Sequence, residues 1–441
     1  MNKISNTVLL FISIITLVSC DDFLDEKPRK AILVPNSAAD VRSLLDYYTT
    51  LNGNSLITFI LSDDWVTDTP NWETLSPWQQ NAYLWSETVF EPTERSTDYN
   101  RLYRKAFSAN VCLDILGKMD DTTDPQIREL KGEALFLRSM ALYQLGQLFL
   151  PHPLGSSAEE TKIPVHFSAD VNSDAEWLTV SEVMKRVESD LKTAHGMLPE
   201  KSLYRTRPDK TAVMALLSGL YLYLEDFEKS LESAQEVLNS SYSLMDYSEL
   251  DADKAYPFTV FNEETLYYGV TSSFSVTASS ATYINPELYS LYSDNDLRKE
   301  LFFTLDPQGN ALFKGSYIGD YNLFSGISYS EVLLNGAEAA VRLGEIEEGM
   351  DIIASLAKNR YRDSVHWETE SQTDLLELVM AERRKELVFR GTRWADMKRL
   401  VILGELSLPL TRVIGETNYE LEKESQMTVK IPSFELDLES N

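Results

Sequence analysis

Apolar residues recur every three or four positions along much of this chain, a spacing that places them on one face of an α-helix. One such series contains Leu130, Leu137 and Leu145. The pattern is most regular between residues 98 and 245 and between residues 328 and 401. We therefore predict a mostly α-helical protein whose helical scaffold lies mainly in these two ranges.

Two parts of this scaffold have the pattern of helical hairpins. In the first, the apolar series stops at Glu225-Asp226 and resumes at Phe227; in the second, it stops at Gly344 and resumes at Ile346. Both hairpins resemble tetratricopeptide units, but they are separated by far more than the roughly 34 residues of a tandem array. We predict interrupted, tetratricopeptide-like hairpins within one domain.

Two regions lack the helical pattern and are rich in aromatic residues. They extend over about residues 52–97 and about residues 251–325, and Asp, Asn, Thr and Pro are frequent in the first. Such composition is typical of irregular structure. We predict loop excursions with a few short strands, carried on the helical scaffold.

The amino terminus has the pattern of a lipoprotein signal peptide. Lys3 is followed by an apolar run too short to span a bilayer, and the run ends at Ser19-Cys20. We expect cleavage after residue 19 and acylation of Cys20, with a disulfide to Cys112 as the alternative. Residues 20–37 would then form a polar tether, and residues 20–441 a single domain.

Composition narrows the possible functions. The 441 residues include 40 Lys and Arg against 69 Asp and Glu, a net charge of −29, so nucleic acid is not an expected partner. Only 4 His and 2 Cys are present, and the histidines show no metal-ligand spacing. We expect no catalytic residues, no metal site and no cofactor, although calcium binding is left open.

Six separated segments of the chain occur in an order that is typical of one protein family: 19–28, 103–110, 132–139, 331–344, 382–396 and 431–437. Together they resemble the RagB/SusD family of outer-membrane lipoproteins of Bacteroidetes. Arg390 departs from the pattern, because many members have Glu there, and the chain is shorter than many relatives.

The resemblance implies a function without catalysis. Members are surface-exposed lipoproteins that bind oligo- or polysaccharide and deliver it to a TonB-dependent SusC-like transporter. It therefore implies a lipid-anchored protein at the outer membrane, facing the exterior.

Aromatic residues of the two irregular regions are the candidate ligand-binding residues. Sugar rings have apolar faces that stack on indole and phenol rings, while nearby polar side chains bind the hydroxyls. For any one ring, packing in the protein is the competing interpretation. The candidates are Trp65, Trp72 and Trp78 in the first region and Tyr283, Tyr289 and Tyr292 in the second.

Two functions compete with glycan binding, and two charged segments have structural interpretations. Tetratricopeptide-like hairpins often hold peptides, so peptide or protein capture is the alternative to glycan binding. A glycosidase is the least favoured, because pairs such as Asp63-Asp64 are common in so acidic a chain. We predict that the charged cluster at residues 382–386 is structural and that the acidic residues before Pro125 cap a helix.

Overall fold

Helices dominate the computed structural model, which describes residues 35–119, 124–170, 172–271, 276, 282–315, 317–367 and 371–439. The predicted α-helical fold is confirmed. The helices are α1 (Ala38–Leu45), α2 (Tyr48–Leu51), α3 (Ile57–Leu61), α4 (Thr69–Trp72), α5 (Pro77–Tyr83), α6 (Thr97–Leu116), α7 (Pro125–Phe149), α8 (Val180–His195), α9 (Lys210–Tyr223), α10 (Phe227–Leu238), α11 (Pro286–Ser290), α12 (Arg298–Phe302), α13 (Tyr329–Leu343), α14 (Ile346–Ala357), α15 (Gln372–Glu386), α16 (Arg393–Ile402) and α17 (Ser433–Glu439).

The strands are short, as predicted. They are β1 (Trp65–Val66), β2 (Ile163–Val165), β3 (Glu176–Leu178), β4 (Thr265–Tyr267), β5 (Val270–Thr271), β6 (Tyr283–Ile284), β7 (Phe303–Leu305), β8 (Ala311–Phe313), β9 (Leu323–Phe324), β10 (Ile327–Ser328), β11 (Leu410–Ile414) and β12 (Thr417–Leu421). One sheet has four antiparallel strands in the order β1-β6-β8-β7. The other described strands pair two by two, as β2-β3, β4-β10, β5-β9 and β11-β12.

Both predicted hairpin turns lie where the apolar series stops. Between α9 and α10, Glu225 has a φ of 61°, and the Asp226 side chain accepts a hydrogen bond from the Lys229 amide. Between α13 and α14, Gly344 has a φ of 83°, the left-handed conformation that commonly ends a helix. The two helical hairpins predicted from periodicity are confirmed.

The helices pack in a continuous series. Helix α6 packs against α7, α7 against α8, α9 against α10, and α10 against α13, which also contacts α14 and α15. The contact between α10 and α13 joins the two hairpins. The two helices approach closely at Gly336, since a Cβ placed on this residue would lie only 3.1 Å from the Cβ of Ala234. Residues Ser37–Asn441 form one compact unit.

A network of buried charges connects the second irregular region to the carboxy-terminal helices. The carboxylate of Glu386 accepts hydrogen bonds from Arg360 Nε at 3.0 Å and from Arg298 Nη1 at 3.2 Å. Arg360 also donates to Glu264 at 2.7 Å, and Arg298 donates to Glu382 at 2.6 Å. All five side chains are buried. The arginine charges hold the pKa of Glu386 down to about 2 despite its burial.

The remaining residues of the cluster at 382–386 also have structural partners. Arg383 Nε donates to Asp396 at 2.9 Å, and Arg384 Nη2 lies 3.1 Å from a carboxylate oxygen of Asp63. Lys385 Nζ donates to Asp296 at 3.1 Å. The prediction that this cluster is structural is confirmed.

Some predictions concern residues outside the described part of the chain. The signal peptide at residues 1–19, Cys20 and most of the tether lie there, as do residues 120–123. Asp124 is described, and it caps α7 by accepting a hydrogen bond from the Gln126 amide at 2.9 Å. Within the described ranges, no helix is both long and apolar enough to cross a membrane.

We predict that Glu386→Gln destabilises the protein by about 3–5 kcal/mol, the usual cost of removing one partner from a buried ion pair. The amide would leave the guanidinium groups of Arg298 and Arg360 without their shared counter-charge. Urea unfolding followed by circular dichroism measures the loss.

Asp294→Asn is the matched control. The Asp294 side chain is 99% exposed and pairs with Lys299 at the surface, so its removal should leave the unfolding curve unchanged. Equal curves for both variants would contradict a stabilising role for the buried network.

Candidate functional site

The two aromatic-rich regions meet in the four-stranded sheet. Strand β1 pairs with β6, which places Trp65 opposite Ile284 and Val66 opposite Tyr283. The Asn285 side-chain amide donates to the Asp63 carbonyl oxygen at 3.0 Å and reinforces this junction. Residues more than 200 positions apart in sequence therefore lie in one sheet.

Trp65 is a packing residue, which corrects its assignment as a candidate for ligand binding. Its side chain is 1% exposed, and its indole Nε1 donates to the carbonyl oxygens of Phe59 and Ile60 at 3.2 Å. The ring stacks on Phe59 with centroids 5.7 Å apart and also contacts Tyr83. Neither face is available to a sugar.

Tyr292 requires the same correction. It is 2% exposed, and its hydroxyl donates to the Lys385 carbonyl oxygen at 2.8 Å. Its ring packs edge-on against Phe303, with centroids 5.0 Å apart. Tyr292 therefore connects the second irregular region to α15 and does not offer a ring to solvent.

Trp72 and Trp78 are half-buried on the short helices α4 and α5. Asp68 caps α4 by accepting a hydrogen bond from the Asn71 amide at 3.0 Å. The Gln80 side chain donates to the carbonyl oxygen of Trp72 at 3.2 Å, which fastens α5 to α4. The indole Nε1 of Trp72 is buried and has no hydrogen-bond partner among the described residues. Trp78 stacks on Phe90.

Tyr283 and Tyr289 are also half-buried. Burial raises the pKa of Tyr283, and the negative charge of Asp68 raises it further. Tyr283 pairs with Val66, two residues before Asp68. Tyr289, on α11, packs against Phe303, and Lys299 Nζ lies 5.7 Å from its ring centroid. We define the aromatic-loop surface as Trp72, Trp78, Tyr283 and Tyr289 together with Asp68 and Asn71.

Adjacent Asp63 and Asp64 have opposite electrostatic environments. Arg393 donates two hydrogen bonds to Asp63, at 2.6 and 2.8 Å, and this guanidinium holds the pKa of Asp63 well below its usual range although burial opposes the effect. Burial raises the pKa of Asp64 to about 7, and the charge of Asp63 contributes. Asp63 is thus paired with Arg393 and Arg384, and Asp64 is buried.

Arg412 packs against the first irregular region and was not among the predicted residues. Its guanidinium carbon lies 4.2 Å from the Tyr83 ring centroid and 4.1 Å from that of Trp85. Gly415, in the turn of the β11-β12 hairpin, lies close to Thr69 of α4. Apolar and polar residues alternate on both sides of Gly415-Glu416, a pattern that could have predicted the hairpin. It could not have predicted that Arg412 packs against Trp85.

The chain matches two protein-family models. Residues 22–222 match a SusD-like family described as "Starch-binding associating with outer membrane", and residues 318–436 match the SusD family. Among curated proteins, the SusD-like protein P2 of Formosa agariphila is 24% identical over 92% of each chain.

Solved structures share the fold. A putative sugar-binding protein from Bacteroides vulgatus has a TM-score of 0.73 and 22% identity, covering 92% of this chain and 97% of its own. A laminarin-binding SusD-like protein has a TM-score of 0.62 and 19% identity, covering 83% of this chain and 91% of its own.

We predict that Trp65→Ala lowers the free energy of unfolding by about 3–5 kcal/mol, because it opens a cavity between Phe59 and Tyr83. Trp177→Ala is the control, since Trp177 is 47% exposed on β3 and its loss should change stability by no more than about 0.5 kcal/mol. Chemical denaturation compares the two. If Trp65→Ala kept its stability but lost ligand binding, Trp65 would be a ligand-binding residue and not a packing residue.

Proposed function

The chain belongs to the SusD/RagB family, and we propose that it captures oligo- or polysaccharide at the outer membrane and passes it to a TonB-dependent SusC-like transporter. The observation that carries this proposal is the aromatic-loop surface. It combines half-buried rings with a carboxylate and an amide, the groups that sugar binding requires.

The structure of this surface suits a neutral, hydroxyl-rich ligand. Tyr283 pairs with Val66, six residues before Trp72, so the β1-β6 pairing joins the two loops that carry these rings. Asp68 accepts hydrogen bonds from the backbone and side chain of Asn71 at 3.0 and 2.6 Å, so both polar groups have defined positions. A rigid surface loses little conformational entropy when ligand binds.

Binding without catalysis is the proposed activity. A retaining or inverting glycosidase needs two accessible carboxyl groups on opposite sides of the scissile bond. Asp63 is bound by Arg393 and Asp64 is buried, so this pair does not meet that requirement. The laminarin-binding structural neighbour supports a glycan as the ligand class.

Membrane attachment is proposed to occur through acyl chains on Cys20. More than one acyl chain gives stable anchoring, whereas a net charge of −29 disfavours adsorption to anionic lipid. The anchored domain would face the exterior, where it can receive glycan and contact the transporter.

We predict that Trp72→Ala weakens glycan affinity by about 1–3 kcal/mol, because it removes a stacking ring. Isothermal titration against a panel of oligosaccharides measures the change. Tyr204→Ala is the control, since Tyr204 is an exposed aromatic residue outside the aromatic-loop surface; its affinity should equal that of the wild type.

A lowered melting temperature with unchanged affinity would assign Trp72 to packing. Binding of peptides, with no binding of any oligosaccharide, would favour the peptide-capture alternative instead.

We predict that Cys20→Ser releases the protein from membranes, because serine cannot accept the thioether-linked lipid. Fractionation of cells and labelling with radioactive palmitate measure the anchoring. Cys112→Ser is the matched control: Cys112 is a buried free thiol inside α6, so this variant should stay membrane-bound. Release of both variants, or of neither, would contradict lipidation at Cys20.

A further inference from the structure

A groove with a volume of about 420 Å³ follows the solvent-facing side of α6. Its walls are α6, the segment after β2 and the start of α17. None of its lining residues belongs to the aromatic-loop surface. The volume falls within the range of about 300–1,000 Å³ that is usual for small-ligand sites. We call it the α6 groove.

Aromatic rings form one side of the α6 groove. Tyr103 and Phe107 are four residues apart, so they lie on the same helix face about 6 Å from each other along its axis. Phe107 is 40% exposed, and Tyr103 is half-buried. The Tyr103 ring lies against Tyr99, with centroids 4.2 Å apart, and its hydroxyl donates to the Pro164 carbonyl oxygen. Tyr103 is therefore held in place.

Polar side chains form a parallel row on the same helix. Asn100 Nδ2 donates to Glu435 Oε1 at 2.6 Å, and Glu435 is buried. Arg104 is exposed one turn further along, and no hydrogen bond or ion pair holds its guanidinium within the described residues. Its five N–H groups are available to a ligand.

The segment after β2 forms the opposite wall of the groove, and hydrogen bonds hold it to α6. Asn110 Nδ2 donates to the His166 carbonyl oxygen at 2.8 Å, and the Ala169 amide donates to Asp114 Oδ2 at 2.8 Å. These bonds hold the segment after β2 at a set distance from Tyr103 and Phe107. The groove is thus preformed.

We propose that the α6 groove is a second carbohydrate-binding site, in which sugar rings stack on Phe107 and Tyr103 while Arg104 and Asn100 bind hydroxyl or carboxylate oxygens. An entirely apolar ligand would desolvate Arg104 without compensation. Nucleic acid is disfavoured, because a single arginine in a protein of net charge −29 cannot neutralise a phosphate backbone. The inference shares the ligand class of the proposed function but uses a separate surface.

Titration calorimetry of single and double variants tests this second site. The probes are six-unit oligosaccharides: laminarihexaose, maltohexaose, cellohexaose and xylohexaose, with hexagalacturonate as the acidic member. The wild type should bind two molecules of the same probe. Phe107→Ala should weaken one site and Trp72→Ala the other, each by about 5- to 150-fold, and the double variant should be weakened at both.

Arg104→Ala serves as a second variant of the groove, and Tyr204→Ala as the exposed aromatic control. Arg104→Ala should weaken the groove site at least tenfold, whereas Tyr204→Ala should keep both sites. Phe107 and Arg104 are exposed, so melting curves of their variants should match the wild type.

The outcomes separate the two proposals. If the wild type binds one molecule, and this binding is lost in Trp72→Ala but kept in Phe107→Ala, the α6 groove is not a binding site. The proposed function is then unaffected. If the single bound molecule is instead lost in Phe107→Ala and kept in Trp72→Ala, the α6 groove is the ligand site. The aromatic-loop surface is then overturned as the ligand site. Absence of binding by all five probes overturns both. Stronger loss with hexagalacturonate than with neutral probes in Arg104→Ala identifies a carboxylate as the group that Arg104 binds.

Discussion

The carboxylate of Glu386 lies inside the protein between the guanidinium groups of Arg298 and Arg360, and much of the remaining structure depends on this arrangement. An isolated buried charge is too costly to persist, so each member must meet its partners. Arg298 comes from the second irregular region, whereas Glu386 ends α15. Neutralisation therefore requires the irregular region to dock on the helical scaffold in one position.

The same principle fixes the first irregular region. Asp63 receives two hydrogen bonds from Arg393, at the start of α16, so the segment before β1 is tied to the carboxy-terminal helices. Both regions are fixed to these helices, and β1 and β6 pair beside them. Arg390 has a related role: its guanidinium lies 3.5 Å from the ring centroid of Tyr317, and Tyr317 donates to Glu264 of the Glu386 network. The arginine at this unusual position thus adds positive charge where carboxylates predominate.

Sequence patterns predicted the helices well because the apolar series that indicates a helix lies entirely within the residues of that helix. The apolar series of α9 and α10 stops at Glu225, and that of α13 stops at Gly344, where the backbone turns. The loop surface was less predictable, since β1 and β6 have two residues each and pair across more than 200 positions. No local pattern distinguishes Trp65, which is buried, from Trp72, which is half-exposed. Their difference arises from the partners that folding brings to each ring.

Partial burial is the state in which an aromatic ring can bind sugar effectively. A fully buried ring such as Trp65 has no free face, whereas a largely exposed ring must lose rotamer freedom when the ligand arrives, at about 0.5–1.5 kcal/mol for each flexible side chain. Trp72 packs one part of its ring on the core, and Tyr103 packs on Tyr99, so folding has already restricted both. A sugar that stacked on either ring would gain contact area without that entropic cost. For Trp72, this advantage depends on the rigid base under its loop, and therefore on the buried charges that hold that loop to the helices.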